Sequence, residues 1–181
     1  MTAESGEHAV EALYSDYQAL LEDLSRLPSA LASINRAYHK HLLVAAASSL
    51  EDVTKVHVAE LFRKYGNDRI SGFVANQVMS RGYHTLFDWK NQTAQGFFTY
   101  FGKDCGTAFK ASVKADANLK IQHDAFMSLG NLRNQLVHNN FAGFSIDLTP
   151  QEVMEKYRLG RAFIETFEGL IFLYTPSEVT A

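Results

Sequence analysis

The stretch Leu42-Leu43-Val44-Ala45-Ala46-Ala47-Ser48-Ser49-Leu50 is apolar or small on every side of a helix. Such a helix is enclosed by its neighbours, and its alanines and serines let them approach closely. The stretch lies within the longest helical pattern of the chain, from Ser29 to about Tyr65. There Leu31, Ile34, Tyr38, Leu42, Ala45, Ser49, Val53 and Val56 recur at threes and fours. Gly66-Asn67-Asp68 ends the pattern. The chain therefore reads as a bundle built around one central helix.

Upstream, Val10, Leu13, Tyr17, Leu20 and Leu24 mark an amphipathic helix over residues 7–26, and Pro28 suits the first turn of the helix that follows. Downstream, the pattern predicts short helices near 71–80, 91–101 and 104–113, separated by Gly82 and Gly102. A long helix over 116–138 turns Leu119, Phe126, Leu129, Leu132 and Leu136 inward, with Gly130 weakening it slightly. Residues 139–148 read as a loop or a short extended excursion. Thr149-Pro150-Gln151-Glu152 then has the form of a capping box. The last helix carries Val153, Tyr157, Gly160, Ile164, Phe167, Ile171 and Tyr174, and stops near Thr175-Pro176. Phe87-Asp88-Trp89-Lys90 and the aromatic run at 97–101 could stack on bases, but at helical spacing they read as core.

No alternating strand pattern or internal repeat is visible. The expected class is all-α, a single-domain bundle of four to five main helices. Residues 1–29 form its N-terminal helix, 30–175 its core and 176–181 a C-terminal tail.

With 181 residues, 46% of them apolar and 20% charged, the chain can bury one sizeable core. One cysteine, Cys105, permits neither an intramolecular disulfide nor a cysteine metal cage, which fits a reducing cytoplasm. Cys105 reads as a partly buried structural thiol. The polar, acidic start Met1–Glu7 does not resemble a secretion signal, and the apolar run Leu42–Ala47 is far too short to span a membrane. A net charge of −3 gives no bulk attraction to nucleic acid. Lys103, Lys110 and Lys114, with Lys120 beyond them, read first as a solvated helix face and only weakly as RNA contacts.

The chemistry-bearing stretch is Leu132-Arg133-Asn134-Gln135-Leu136-Val137-His138. Asn134 and His138 are four apart and share a helical face, where the amide could orient the imidazole. Arg133 lies roughly 140° around the helix from His138. By spacing alone two readings stay open: a functional Arg-Asn…His cluster, or Arg133 in an internal salt bridge with His138 capping a helix end. His39 and His41 are two apart and do not share a face, and His8, His57, His84 and His123 have no partner pattern, reading as surface or capping residues. Glu4-Ser5-Gly6-Glu7-His8 is the nearest approach to the carboxylate–histidine pairs of a di-iron bundle, and it lies at the terminus. There is no Gly-x-Ser-x-Gly elbow. No metal site and no cofactor are expected.

Leu-Arg-Asn-x-x-Val-His-Asn at a helix end resembles the signature of the HEPN superfamily (higher eukaryotes and prokaryotes nucleotide-binding), an Arg followed four to six residues later by a His. The upstream segment Leu42–Glu51 is similar to the helix that precedes the motif in the RiboL-PSP-HEPN branch, and the likeness covers roughly residues 30–175. The resemblance implies a metal-independent endoribonuclease with Arg133, Asn134 and His138 catalytic, and with Glu51 and Ser48 supporting. Glu51 would pair with Arg133 or orient it. It further implies 2′-hydroxyl attack, leaving a 2′,3′-cyclic phosphate and a 5′-hydroxyl. One motif supplies one histidine, whereas the reaction needs a base and an acid. The family resolves this by dimerising, so a homodimer is expected, with two motifs facing each other on the twofold axis. The implied partners are tRNA, rRNA or mRNA and an antitoxin or regulatory protein, and the implied setting is a toxin or an antiphage defence effector. The alternative is a HEPN-like adaptor that has lost cleavage.

Overall fold

The computed structural model describes residues 3–139 and 141–172. Its elements are α1 (Ala3–Asp23), α2 (Pro28–Tyr65), α3 (Asp68–Phe73), a π-helical stretch (Val74–Met79), α4 (Ser80–Leu86), α5 (Gln95–Thr99), α6 (Lys103–Ala115), α7 (Ala117–His138), α8 (Pro150–Glu165) and α9 (Phe167–Phe172). The long members are α1, α2, α6, α7 and α8, an all-α single-domain bundle as the sequence predicts. Among the described residues no helix is long and apolar enough to cross a membrane.

The central helix is α2. It packs against α1, α3, the π-helical stretch, α4, α7 and α8, and its small-residue middle explains how. Leu42, Leu43, Ala46, Ala47, Ser49 and Leu50 are all buried. Gly160 of α8 completes the close approach: a β-carbon there would lie 3.0 Å from a Leu50 methyl and 3.4 Å from the Phe126 Cα of α7. Three helices thus meet at one glycine. Beside them Phe97, Phe98, Phe109, Phe126, Phe163 and Phe167 form one aromatic cluster, with Phe98 and Phe109 stacked face to face and most other contacts edge-on or tilted. The aromatic runs are core, apart from the exposed Tyr100.

Several boundaries differ from the expected ones. The pattern break at Gly82 is not a helix end: α3, the π-helical stretch and α4 run together from Asp68 to Leu86. The final helix breaks at Thr166, whose amide and hydroxyl both bond to the Phe163 carbonyl, before α9 resumes. The expected end of that helix at 173–175 and the tail 176–181 lie outside the described residues. The capping box forms as its sequence predicts, with Glu152 accepting the Thr149 amide at 2.7 Å and Thr149 accepting the Glu152 amide at 3.2 Å. Cys105 is buried, and burial pushes its thiol above the ordinary range.

His123 is not the surface residue expected. It is buried, its Nε2 accepts the Ala94 amide at 3.2 Å, and its Nδ1 therefore carries the proton and donates to Asp124 at 2.9 Å. His57 packs edge-on to Phe167. Burial pushes its imidazole below the ordinary value, against the opposing pull of Glu60, Glu165 and Glu168.

Two predictions follow from this packing. Because the folded state holds His57 below its unfolded value, its contribution to stability is complete above about pH 6.5 and is lost as pH falls through the lowered value. Chemical denaturation from pH 7.5 to pH 5 should show that loss, and it should shrink in His57→Gln. Within the core, Tyr157 and Ser49 share a buried hydroxyl–hydroxyl bond of 2.9 Å. Tyr157→Phe should cost ~1–3 kcal/mol by stranding Ser49, and adding Ser49→Ala should recover part of it. Urea unfolding of the single and double variants measures both.

Candidate functional site

The motif occupies the last two turns of α7, which ends at His138. Leu136 is fully buried and anchors these turns in the core, while Arg133 and Asn134 are half-buried and His138 is exposed. α2 runs beside this end of α7. Ala47 and Glu51 of α2 therefore share a narrow crevice with Gly130, Arg133 and Asn134 of α7, closed on its third side by Tyr83, His84 and Trp89. Its volume is about 10 Å³, room for about one water molecule. A nucleotide cannot enter it, so any substrate must be met at its rim.

The third wall depends on a glycine. The Trp89 indole lies so close over α7 that a β-carbon on Gly130 would sit 2.1 Å from a ring carbon. In the sequence Gly130 reads only as a weak point of a helix, whereas in the fold it is the seat of the indole. The indole N–H in turn donates to the His84 carbonyl at 3.0 Å, fixing the end of α4 over the crevice.

Each expected site residue can now be placed. Arg133 and Asn134 are neighbours in the crevice, with the guanidinium donating to the Asn134 amide oxygen at 3.3 Å. That bond corrects the expected pairing, since among the described residues no hydrogen bond joins Asn134 to His138. Among the described residues Arg133 forms no ion pair, so none of them supplies the internal salt bridge that spacing left open. Glu51 does reach the crevice, but its carboxylate is held by Lys55 at 2.5 Å and faces His84 at 3.7 Å rather than pairing with Arg133. Ser48 does not line the crevice, and the buried, bonded serine of α2 is its neighbour Ser49. Lys103, Lys110 and Lys114 are exposed along α6. That helix packs near the first half of α7, with Phe109 against His123, away from the motif turns.

Sequence reading missed His84 and Tyr83, both from the stretch preceding the aromatic run. Tyr83 is buried at the crevice wall. Burial pushes its phenol far above the ordinary range, reinforced by the Glu51 charge and opposed by the Thr54 hydrogen bond and by Arg133. It is a neutral wall, not a proton carrier. No residue spacing could have flagged His84, because it meets the motif only through the fold.

Beyond α7 the chain is tied back to α2. Lys40 is 7% exposed, and its ammonium donates to the carbonyls of Phe141 at 2.8 Å and Ala142 at 3.1 Å and lies over the Phe141 ring. The clamp fixes where the chain goes just after His138. Val137 and Phe141 remain 46% and 43% exposed, and the Phe141 ring meets His41 edge-on.

A family profile described as RiboL-PSP-HEPN matches residues 13–172. No curated protein and no solved structure matches the chain.

The indole seat makes a direct prediction. Gly130→Ala should displace Trp89, destabilising the fold by ~1–3 kcal/mol, the usual cost of overpacking. Trp89 is the single tryptophan, so its emission should shift to the red in the folded variant. Unchanged emission would show that the indole does not rest there.

Proposed function

The chain belongs to the RiboL-PSP-HEPN family, and from that premise we propose that it is a metal-independent endoribonuclease acting at the rim of the Arg133 crevice. The observation that carries this reading is a half-buried guanidinium, held by Asn134 and engaged by no carboxylate among the described residues, five positions before an exposed imidazole on the same helix. Arg133 keeps its charge and offers a planar fork to phosphate oxygens. His138 stands where a 2′-hydroxyl could give up its proton, and imidazole is the side chain suited to that exchange near neutral pH. The 2′-oxygen attacks phosphorus, the bond to the 5′-oxygen breaks, and a cyclic phosphate remains.

A homodimer completes the proposed site. The exposed Val137, His138 and Phe141 supply a mixed apolar and polar surface at the end of α7, of the kind a twofold mate covers. RNA would then lie between two copies of the motif. Its class, tRNA, rRNA or mRNA, belongs to the same proposal, as do a role as toxin or defence effector and control by an antitoxin. A second reading, an adaptor without cleavage, is favoured by the net charge of −3 and by the placement of the α6 lysines away from the motif.

Incubating the purified protein with total RNA in EDTA separates the two readings. Cleavage to 2′,3′-cyclic phosphate ends is expected for the wild type. Arg133→Ala and His138→Ala should each lose ~10²-fold or more in rate. RNA left intact by the wild-type dimer would favour the adaptor.

A further inference from the structure

His84 lies outside the motif, yet several contacts hold it at the motif's crevice. Its side chain lines the wall across from Arg133 and Asn134. Its Nε2 faces the Glu51 carboxylate at 3.7 Å, and Lys55 anchors that carboxylate from the other side. The Trp89 indole fixes its carbonyl, and the Tyr83 ring stands edge-on at 5.5 Å. The side chain is nevertheless 51% exposed, so a substrate at the rim can reach it. At that separation the pair is too long for a hydrogen bond and adds little to stability, so stability does not explain the arrangement. What it provides is orientation: a carboxylate facing one ring nitrogen favours the ring position that leaves Nδ1 for something else, as a positioned base or acid requires. Among the described residues no hydrogen bond occupies Nδ1.

We infer that His84 is a catalytic residue of this crevice, the proton donor to the departing 5′-oxygen, with Glu51 as its positioning residue. The inference rests on the ribonuclease reading and adds the second imidazole that one Arg133–His138 pair lacks. As the 2′-oxygen bonds to phosphorus, His138 takes its proton. As the bond from phosphorus to the 5′-oxygen breaks, His84, entering as imidazolium, gives that oxygen its Nδ1 proton. Arg133 balances the charge on the non-bridging oxygens. The chain is left with His138 protonated and His84 neutral, the remaining proton of His84 on Nε2 toward Glu51, and exchange with water restores both. Each copy of the motif in the homodimer then has an acid beside its own base.

The test compares an ordinary RNA oligonucleotide with one carrying sulfur in place of the scissile 5′-oxygen, since a thiolate departs without being protonated. On the ordinary substrate His84→Ala should lower kcat by ~10²-fold or more and leave KM within about threefold, the signature of a group used in the transition state. On the sulfur substrate His84→Ala should return to within about tenfold of wild type, whereas His138→Ala should not. His84→Gln, which keeps the shape and has no proton to give, should behave as His84→Ala. Adding Glu51→Gln to His84→Ala should cost little more, because the two act as one unit. Melting temperatures matching wild type exclude a folding defect in the His84 variants. Ordinary-substrate turnover within about threefold of wild type, or a loss that sulfur does not rescue, overturns the assignment of His84. A wild-type protein inert on both substrates overturns the ribonuclease reading instead.

Discussion

Everything near the candidate site follows from how closely three helices approach at Gly160. With no side chain there, α8 settles onto Leu50 of α2 and onto the backbone of α7 at Phe126. Close packing of this kind fixes register as well as distance, because protein interiors leave little room to slide. Once Leu50 and Phe126 are set against one another, the next turns along the two helices have no choice of neighbour. Glu51 comes opposite Gly130 and Arg133, and Lys40, further back along α2, meets the carbonyls that follow His138. The alanine and serine content of the α2 middle is therefore more than a packing convenience. It decides which polar residues of two distant segments share a crevice.

The second determinant is the route of the chain between α2 and α6. Residues 68–86 form one nearly continuous helical run that lays its end over α7, and Trp89 locks it there by resting on Gly130. The crevice thus has two walls from the long helices and one from a segment whose own helices are short. Its polarity is mixed: one guanidinium, one carboxylate already held by a lysine, one amide and one imidazole. That balance explains how an acidic chain can still present a local cation to an anionic substrate. The guanidinium is not neutralised by the carboxylate beside it, because Lys55 and His84 occupy that carboxylate first.

Much of this was legible in the sequence where the information is local. The enclosed character of Leu42–Leu50, the inward face of α7 and the cap at Thr149 depend on residues within a few turns of each other, and periodicity reads them well. The motif at Arg133 to His138 was legible for the same reason. The middle of the chain was not, because Gly82 looks like a terminator and is tolerated inside a helix held by its neighbours. His123 and His84 were read as unremarkable surface residues for a related reason. The meaning of each is set by partners about thirty or more positions away, Ala94 for one and Glu51 for the other. Gly130 carried a signal that was present and under-read: a glycine inside a long, otherwise strong helix asks what lies against it.

The π-helical stretch Val74–Met79 gives the last of these relations its direction. A π turn accommodates one residue more than an α turn, so every side chain after it is rotated by about 100° from where an uninterrupted α-helix would carry it. His84 stands five residues beyond Met79, and that single extra residue sets the angle at which it meets α7. Chain length is thus fixed more tightly between Val74 and Met79 than in the exposed parts of the loop after His138. Losing one residue there would keep the segment helical while turning Tyr83 and Leu86, as well as the imidazole, away from their present neighbours. In this fold the phase of one short helix, rather than its stability, decides whether a residue belongs to the site.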